Sequence, residues 1–170
     1  MHFSVLMSVY KKDNVKWFEE ALNSIINQTL IPNEILIMQD GPISDELSLS
    51  LNAYLEKYPF IRTHKMEQNV GLGLVLKAGI NLCKYDLIAR MDADDISIPT
   101  RFEKQVNYFK QNEVDLLGSV IVEFEDNPFE SKILRKLPET HEEIISFAKR
   151  RNPIGHSSVM FKREAVLKAG

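Results

Sequence analysis

Apolar residues along the chain alternate between short continuous runs and stretches with helical spacing, which is the pattern of βαβ units. "FSVLMSV" (3–9) predicts a buried strand, and in "VKWFEEALNSIINQ" (15–28) Phe18, Ala21, Leu22, Ile25 and Ile26 share one helical face. "EILIMQ" (34–39) predicts a second strand, and "DELSLSLNAYLEKY" (45–58) a helix with Ser44 as its N-cap. A shorter, more polar strand around 61–66 suits a sheet edge, followed by a helix over 71–84 and a strand over 85–91. A fourth helix over 100–112 turns Phe102, Val106 and Phe109 inward, and "DLLGSVIVEFE" (115–125) reads as one long strand.

Such alternation requires parallel pairing through right-handed helical crossovers, and ligands of these sheets bind at the carboxyl ends of the strands. The expected class is therefore α/β, a Rossmann-like, mostly parallel sheet flanked by helices. From residue 126 the pattern loosens. Residues 125–140 read as loop, "HEEIISFAKR" (141–150) as a helix capped by Thr140, "GHSSVMF" (155–161) as a strand, and "REAVLKAG" (163–170) as a helix start.

The 170 residues suit one domain with a full core. A formal charge of −3 excludes the broad basic field of a nucleic-acid binder, so no nucleic-acid partner is expected. Cys83 is the only cysteine, which rules out an internal disulfide and favours a reducing, cytoplasmic setting. No apolar run reaches the ~18 residues of a membrane span. The basic cluster "KRR" (149–151) leaves peripheral association with the inner face of a membrane open.

In such a sheet the residues just past each strand are the ones to search for chemistry. After the first strand comes Tyr10, a flat ring suited to stacking on a base or to packing on its own loop. After the second comes Asp40 in "QDGP", which is also ordinary turn chemistry. After the third comes "NVGLG", where Asn69, Gly71 and Gly73 open a helix; no Gly-Lys-Ser/Thr succeeds them, and Leu76 stands where a third dinucleotide-binding glycine belongs.

After the fourth comes "MDADD", three carboxylates (Asp92, Asp94 and Asp95) within four residues. If extended backbone continues through Asp94, Asp92 and Asp94 point to one side roughly 7 Å apart. At an effective dielectric near 20 they repel by about 2 kcal/mol, and a hard divalent cation reverses the sign. Two other readings compete. Asp94 or Asp95 could cap the next helix, with Thr100 as a rival, while an EF-hand loop begun at Asp92 fails because Ile96 and Ser97 occupy its ligand and glycine positions.

Together "SVLMSVYKKD", "SIINQTLIPNEILIMQDG", "NVGLGLVLKAG", "YDLIARMDADDISIPTRFEKQ" and "NPIGHSSVMFKRE" resemble the family-2 glycosyltransferases, whose nucleotide-binding half has the GT-A fold. The resemblance implies one GT-A domain over 1–170, with nucleotide-binding βα units in 1–112, an incomplete acceptor-side part in 113–170, and C-terminal truncation. It implies a sugar moved with inversion from a nucleotide-diphosphate sugar, a UDP-sugar foremost, to a saccharide or lipid-linked acceptor in surface-glycan synthesis. By position, Val9 and Tyr10 would flank the base, Asp40 would accept a hydrogen bond from base or ribose, and Asn69 and Gly71 would line the pocket. Asp92 and Asp94 would match the DxD pair holding Mn²⁺ or Mg²⁺ on the diphosphate. Asp95 and His156 would face the donor or acceptor cleft. The family's catalytic base lies in an acidic motif expected beyond Gly170. Two alternatives stay open: a nucleotide-binding fragment without catalysis, and a sugar-phosphate nucleotidyltransferase, which would want glycines in "VYKKDN".

Overall fold

The computed structural model describes residues 1–124, 133–135 and 137–170. Strands β1 (Phe3–Val9), β2 (Glu34–Gln39), β3 (Ile61–Lys65) and β4 (Leu87–Met91) alternate with helices α1 (Val15–Ile26), α2 (Asp45–Lys57), α3 (Leu72–Leu82) and α4 (Arg101–Gln111). Next come β5 (Leu116–Leu117), β6 (Ile121–Glu123), β7 (Ile133–Arg135), α5 (His141–Ala148), a 3₁₀ turn (His156–Ser158), β8 (Met160–Lys162) and α6 (Arg163–Ala169). The main sheet runs β3-β2-β1-β4-β8-β5; the first four strands are parallel, and β8 is antiparallel to both its neighbours. The strand rich in polar residues, β3, is the expected edge.

Two cores sandwich this sheet. Phe3, Val5, Met7, Ile35, Ile37 and Ala89 face Phe18, Leu22 and Ile25 of α1 and Phe102 and Val106 of α4. Leu6, Leu36, Met38 and Ile88 face Val75 and Leu76 of α3, where Phe161 joins them. Period-2 alternation thus sends successive residues of β1 into opposite cores, and burial on both faces explains the unbroken apolar run in the sequence. Among the described residues no helix is long and apolar enough to cross a membrane.

The first four strands agree with the sequence reading, but the later part departs from it. The long strand expected over 115–125 breaks at Gly118 and Ser119, because Ser119 turns both backbone groups to the Ser158 hydroxyl, at 3.1 Å each; residue 125 lies outside the described residues. The strand expected over 155–161 begins only at Met160, since residues 156–158 wind into a 3₁₀ turn closed by Ser158 N–H donating to Gly155 O at 3.1 Å. Within the expected loop over 125–140, residues 133–135 form β7 against β6, while residues 125–132 and 136 lie outside the described residues. The Thr140 cap is present as a full capping box with Glu143.

Candidate functional site: an acidic cleft at the strand ends

The parallel strands deliver their loops to one end of the sheet, and four of those loops build a cleft of about 350 Å³. It is lined by Val9 at the end of β1, Tyr10 and Asp13 after it, Asp40 after β2, Asn69 and Gly71 before α3, and Ala93 and Asp94 after β4. Six residues singled out in the sequence therefore converge: Val9, Tyr10, Asp40, Asn69, Gly71 and Asp94. Asp92, Asp95 and His156 are outside this lining.

Asp40 organises the cleft wall. Its side chain is 5% exposed, and it accepts N–H groups from Val70 (2.7 Å), Gly71 (3.0 Å) and the Asn69 amide (3.0 Å). Gly41 makes that approach possible, with φ at +81° and the Asn69 nitrogen 2.5 Å from where a Cβ would stand. Because the loop must reach Asp40, Gly71 takes up a positive φ at the N-terminus of α3, leaving that helix end uncapped by any side chain and open to the cleft.

The acidic stretch is arranged differently from its sequence reading. β4 ends at Met91, and Ala93 and Asp94 form a turn, so extended backbone does not carry Asp92 and Asp94 to one side. Neither Asp94 nor Asp95 caps the next helix. It starts at Arg101 after Thr100, whose side chain makes no capping bond, and the Phe102 N–H donates to the Gln28 side chain at 3.1 Å.

The turn gives the aspartates different surroundings. Asp92 accepts a hydrogen bond from the buried Arg90 guanidinium, and its other oxygen lies 3.8 Å from His156 Nδ1, a charge contact longer than a hydrogen bond. Burial pushes the Asp92 carboxyl up, but His156 and Arg90 outweigh it and hold it below the ordinary range. Asp94 faces the cleft, and burial first, then the charges of Asp95 and Asp92, raise it. Asp13 is raised too, by burial and by Asp94 and Asp92, against the lowering effect of the Tyr10 N–H that it accepts at 2.9 Å.

Asp13 escaped the sequence reading although it stands three residues after Tyr10 in the quoted "VYKKD"; its signal was its place behind a strand end. Arg90 and Arg101 escaped as well. Arg101 is buried and donates to Arg90 O (2.8 Å) and Ser97 Oγ (2.9 Å), and burial pushes its guanidinium down to about 10 despite Asp95. Asp13, Asp92, Asp94 and Asp95 thus outnumber the two buried guanidiniums beside them, a local surplus of carboxylates of the kind that a divalent cation relieves. Among the described residues no three His, Cys, Asp or Glu side chains converge into a cage. This donor set fits Mg²⁺ or Mn²⁺ held by one or two carboxylates together with substrate phosphates, and it does not fit a closed protein site.

A mostly parallel sheet with helices on both faces, a cleft at its strand ends, an acidic turn on one side and an open helix N-terminus on another is the architecture of the GT-A fold. The chain belongs to glycosyl transferase family 2, whose sequence profile matches residues 4–168. It is 38% identical over 169 residues to the amylovoran biosynthesis glycosyltransferase AmsE of Erwinia amylovora, covering 99% of this chain and 62% of that protein. It is 37% identical to the Escherichia coli UDP-Gal:alpha-D-GlcNAc-diphosphoundecaprenol beta-1,3-galactosyltransferase, covering 99% and 61%. Among solved structures, the mannosyltransferase PcManGT of Pyrobaculum calidifontis, in complex with GDP-Man and Mn²⁺, superposes with a TM-score of 0.70 at 14% identity, over 99% of this chain and 46% of that one. The chain spans about three fifths of the length of the curated relatives it matches.

Proposed function

We propose that the chain is the donor-binding part of an inverting glycosyltransferase that takes a UDP-sugar and acts on a lipid-linked, diphosphate-bearing acceptor in surface-glycan synthesis. The observation that carries this reading is the convergence of Tyr10, Asp40, Asn69, Gly71 and Asp94 on one cleft at the strand ends. The choice of UDP and of acceptor class is supported by the name of the E. coli relative, and a divalent cation by the excess negative charge beside the cleft and by the Mn²⁺ of the Pyrobaculum structure.

In this reading Val9 and Tyr10 hold the base. Asp40 Oδ1 accepts only the Val70 N–H, so a second lone pair remains for a base N–H. The diphosphate lies toward the N-terminus of α3, where the free backbone N–H groups and the helix dipole favour an anion. Asp94, with Asp92 beside it, is the carboxylate through which Mn²⁺ or Mg²⁺ would be held. Bound there, the cation supplies neutralisation of the charge that grows on the leaving diphosphate as the sugar C1–O bond breaks. The acceptor hydroxyl attacks from the opposite face, inverting the anomeric centre. A carboxylate base takes the proton of that hydroxyl, and Asp13 and Asp40 each already accept backbone N–H groups. Such an enzyme works in the cytoplasm at the membrane that carries its acceptor.

Calorimetry with UDP and Mn²⁺ tests this. Binding that needs the metal, and that weakens at least about tenfold in Asp94→Asn while the variant stays folded, is the expected outcome. Absence of UDP binding to the parent protein, or unaltered affinity in the variant, overturns the reading.

A further inference from the structure

Arg90 is 3% exposed, yet among the described residues its Nε and Nη1 find no hydrogen-bond partner, and Nη2 alone of its side-chain nitrogens is engaged, by Asp92. A buried cation of this kind is costly, since each unmet donor forfeits its solvation. Its backbone is pinned on two sides, by its N–H donating to Val159 O at 2.8 Å and its carbonyl accepting from Arg101 Nη2 at 2.8 Å.

The group on the far side of Asp92 is equally constrained. His156 belongs to the 3₁₀ turn, which Ser158 ties to Ser119 through its hydroxyl and to Gln105 Nε2 through its carbonyl (2.8 Å). A Cβ at Gly155 would stand 2.2 Å from Ile121 Cδ1, so the glycine lets Ile121 pack directly on the turn. Asp92 is therefore caught between two fixed cations or potential cations, one on the donor half of the sheet and one on the segment after α5. Asp94, two residues on, has no such tie and lines the cleft.

We propose that Arg90 is a positioning residue: its buried guanidinium holds the Asp92 carboxylate against His156, docking the His156 turn on the nucleotide site and leaving Asp94 as the aspartate turned to the cleft. This rests on the glycosyltransferase reading, but the contact itself does not. The arrangement makes Asp92 a brace, and it accounts for why Asp92 is outside the cleft lining although it adjoins Ala93 and Asp94, which are inside it. Preorganisation of this sort matters because misplacing a binding group by about 1 Å can cost on the order of a hundredfold in rate.

The test compares the parent with Arg90→Met, Arg90→Lys, Asp92→Asn and the Arg90→Met/Asp92→Asn double variant. Binding of UDP with Mn²⁺ is followed by calorimetry, and the His156 ring by ¹H–¹⁵N NMR. We expect Arg90→Met and Asp92→Asn each to weaken UDP binding about tenfold, the double variant to be no worse than the weaker single, and Arg90→Lys to recover part of the loss. The His156 ring nitrogens should shift alike in Arg90→Met and Asp92→Asn, which a merely structural arginine would not cause. Independent, additive losses, or an unmoved His156 spectrum, overturn the proposal. If Arg90→Met does not fold, Arg90→Lys and Asp92→Asn carry the comparison. If the parent binds no UDP, the functional reading fails and the His156 spectra still decide the role of Arg90.

Discussion

The two ends of the parallel sheet treat buried negative charge in opposite ways. At the amino ends of the strands, Glu34 is 3% exposed, and its carboxylate accepts from Ser4 Oγ, Arg62 Nε and the Lys84 N–H (2.7 Å). Ser4 in turn accepts from the Tyr85 N–H at 3.1 Å, so the network stitches β1, β2, β3 and the chain after α3. At the carboxyl ends, Asp13, Asp92, Asp94 and Asp95 crowd together, and Asp13 and Asp94 are pushed above the ordinary carboxylate range. Charge that is answered by donors from three other segments holds a fold together. Charge left in surplus beside a cleft is unfavourable for the fold by itself and marks a candidate binding site.

The largest effect should come from breaking the satisfied end. Glu34→Ala leaves the Ser4 hydroxyl and the Lys84 N–H without their acceptor and the Arg62 guanidinium without its carboxylate, only its Nη2 still donating to Leu82 O. Removal of one member of a buried pair costs about 3–5 kcal/mol, and because the Arg62 side chain is 44% exposed the lower figure, about 3 kcal/mol, is expected in urea unfolding. Nucleotide affinity of the fraction that remains folded should be unaltered. A variant as stable as the parent would show that the amino end is not a structural clamp.

A smaller effect is expected where the cleft borrows structure from the fold. Gly41→Ala must place a Cβ at positive φ, which costs about 1–2 kcal/mol, and 2.5 Å from the Asn69 nitrogen, which forces the Asn69–Gly71 loop away from Asp40. The expectation is a stability loss near 2 kcal/mol together with at least a tenfold loss of UDP affinity. Glu34→Ala should damage stability alone, and Gly41→Ala should damage both. A Gly41→Ala protein with parental UDP affinity would remove the Asp40 loop from the site.

The contrast between the ends also explains what could be read from residues in order. The β1–β4 core was legible because two-sided burial leaves continuous apolar runs, and helices α1 and α4 because their inward residues keep the 3.6-residue period. The strand-end rule then led to Tyr10, Asp40, Asn69, Gly71 and Asp94. What escaped depends on contacts far apart in sequence. Ser119 breaks a strand by bonding Ser158, and Gln28 rather than a local side chain meets the start of α4. Asp92 and Asp94 look alike in "MDADD", and only a buried arginine on the preceding strand and a histidine 64 positions later set them apart. Asp13 was visible but unremarked, since a lone carboxylate in a turn has no periodicity to betray it.

The smallest effect, and the most direct measure of the surplus, is the dependence of stability on pH. A carboxyl whose native pKa lies above its unfolded value binds its proton more tightly when folded, so stability falls as pH rises through the interval between the two. Asp94 and Asp13 behave this way just above the ordinary aspartate value of 3.8, and Asp92 in the opposite sense, losing its contribution as pH falls through its lowered native value. In Asp94→Asn the downward slope due to Asp94 vanishes, and that due to Asp13 shrinks because Asp94 is one of its causes. Urea midpoints collected between about pH 4 and pH 7 should therefore decline less in Asp94→Asn than in the parent, with the variant the more stable of the two at the neutral end. Mn²⁺ added to the parent should raise its stability at the neutral end, because the cation binds where the repulsion is, and should do so less in Asp94→Asn. Equal slopes in the two proteins would mean that the excess negative charge at this end of the sheet is relieved elsewhere, and the distinction between a satisfied end and a poised one would fall with it.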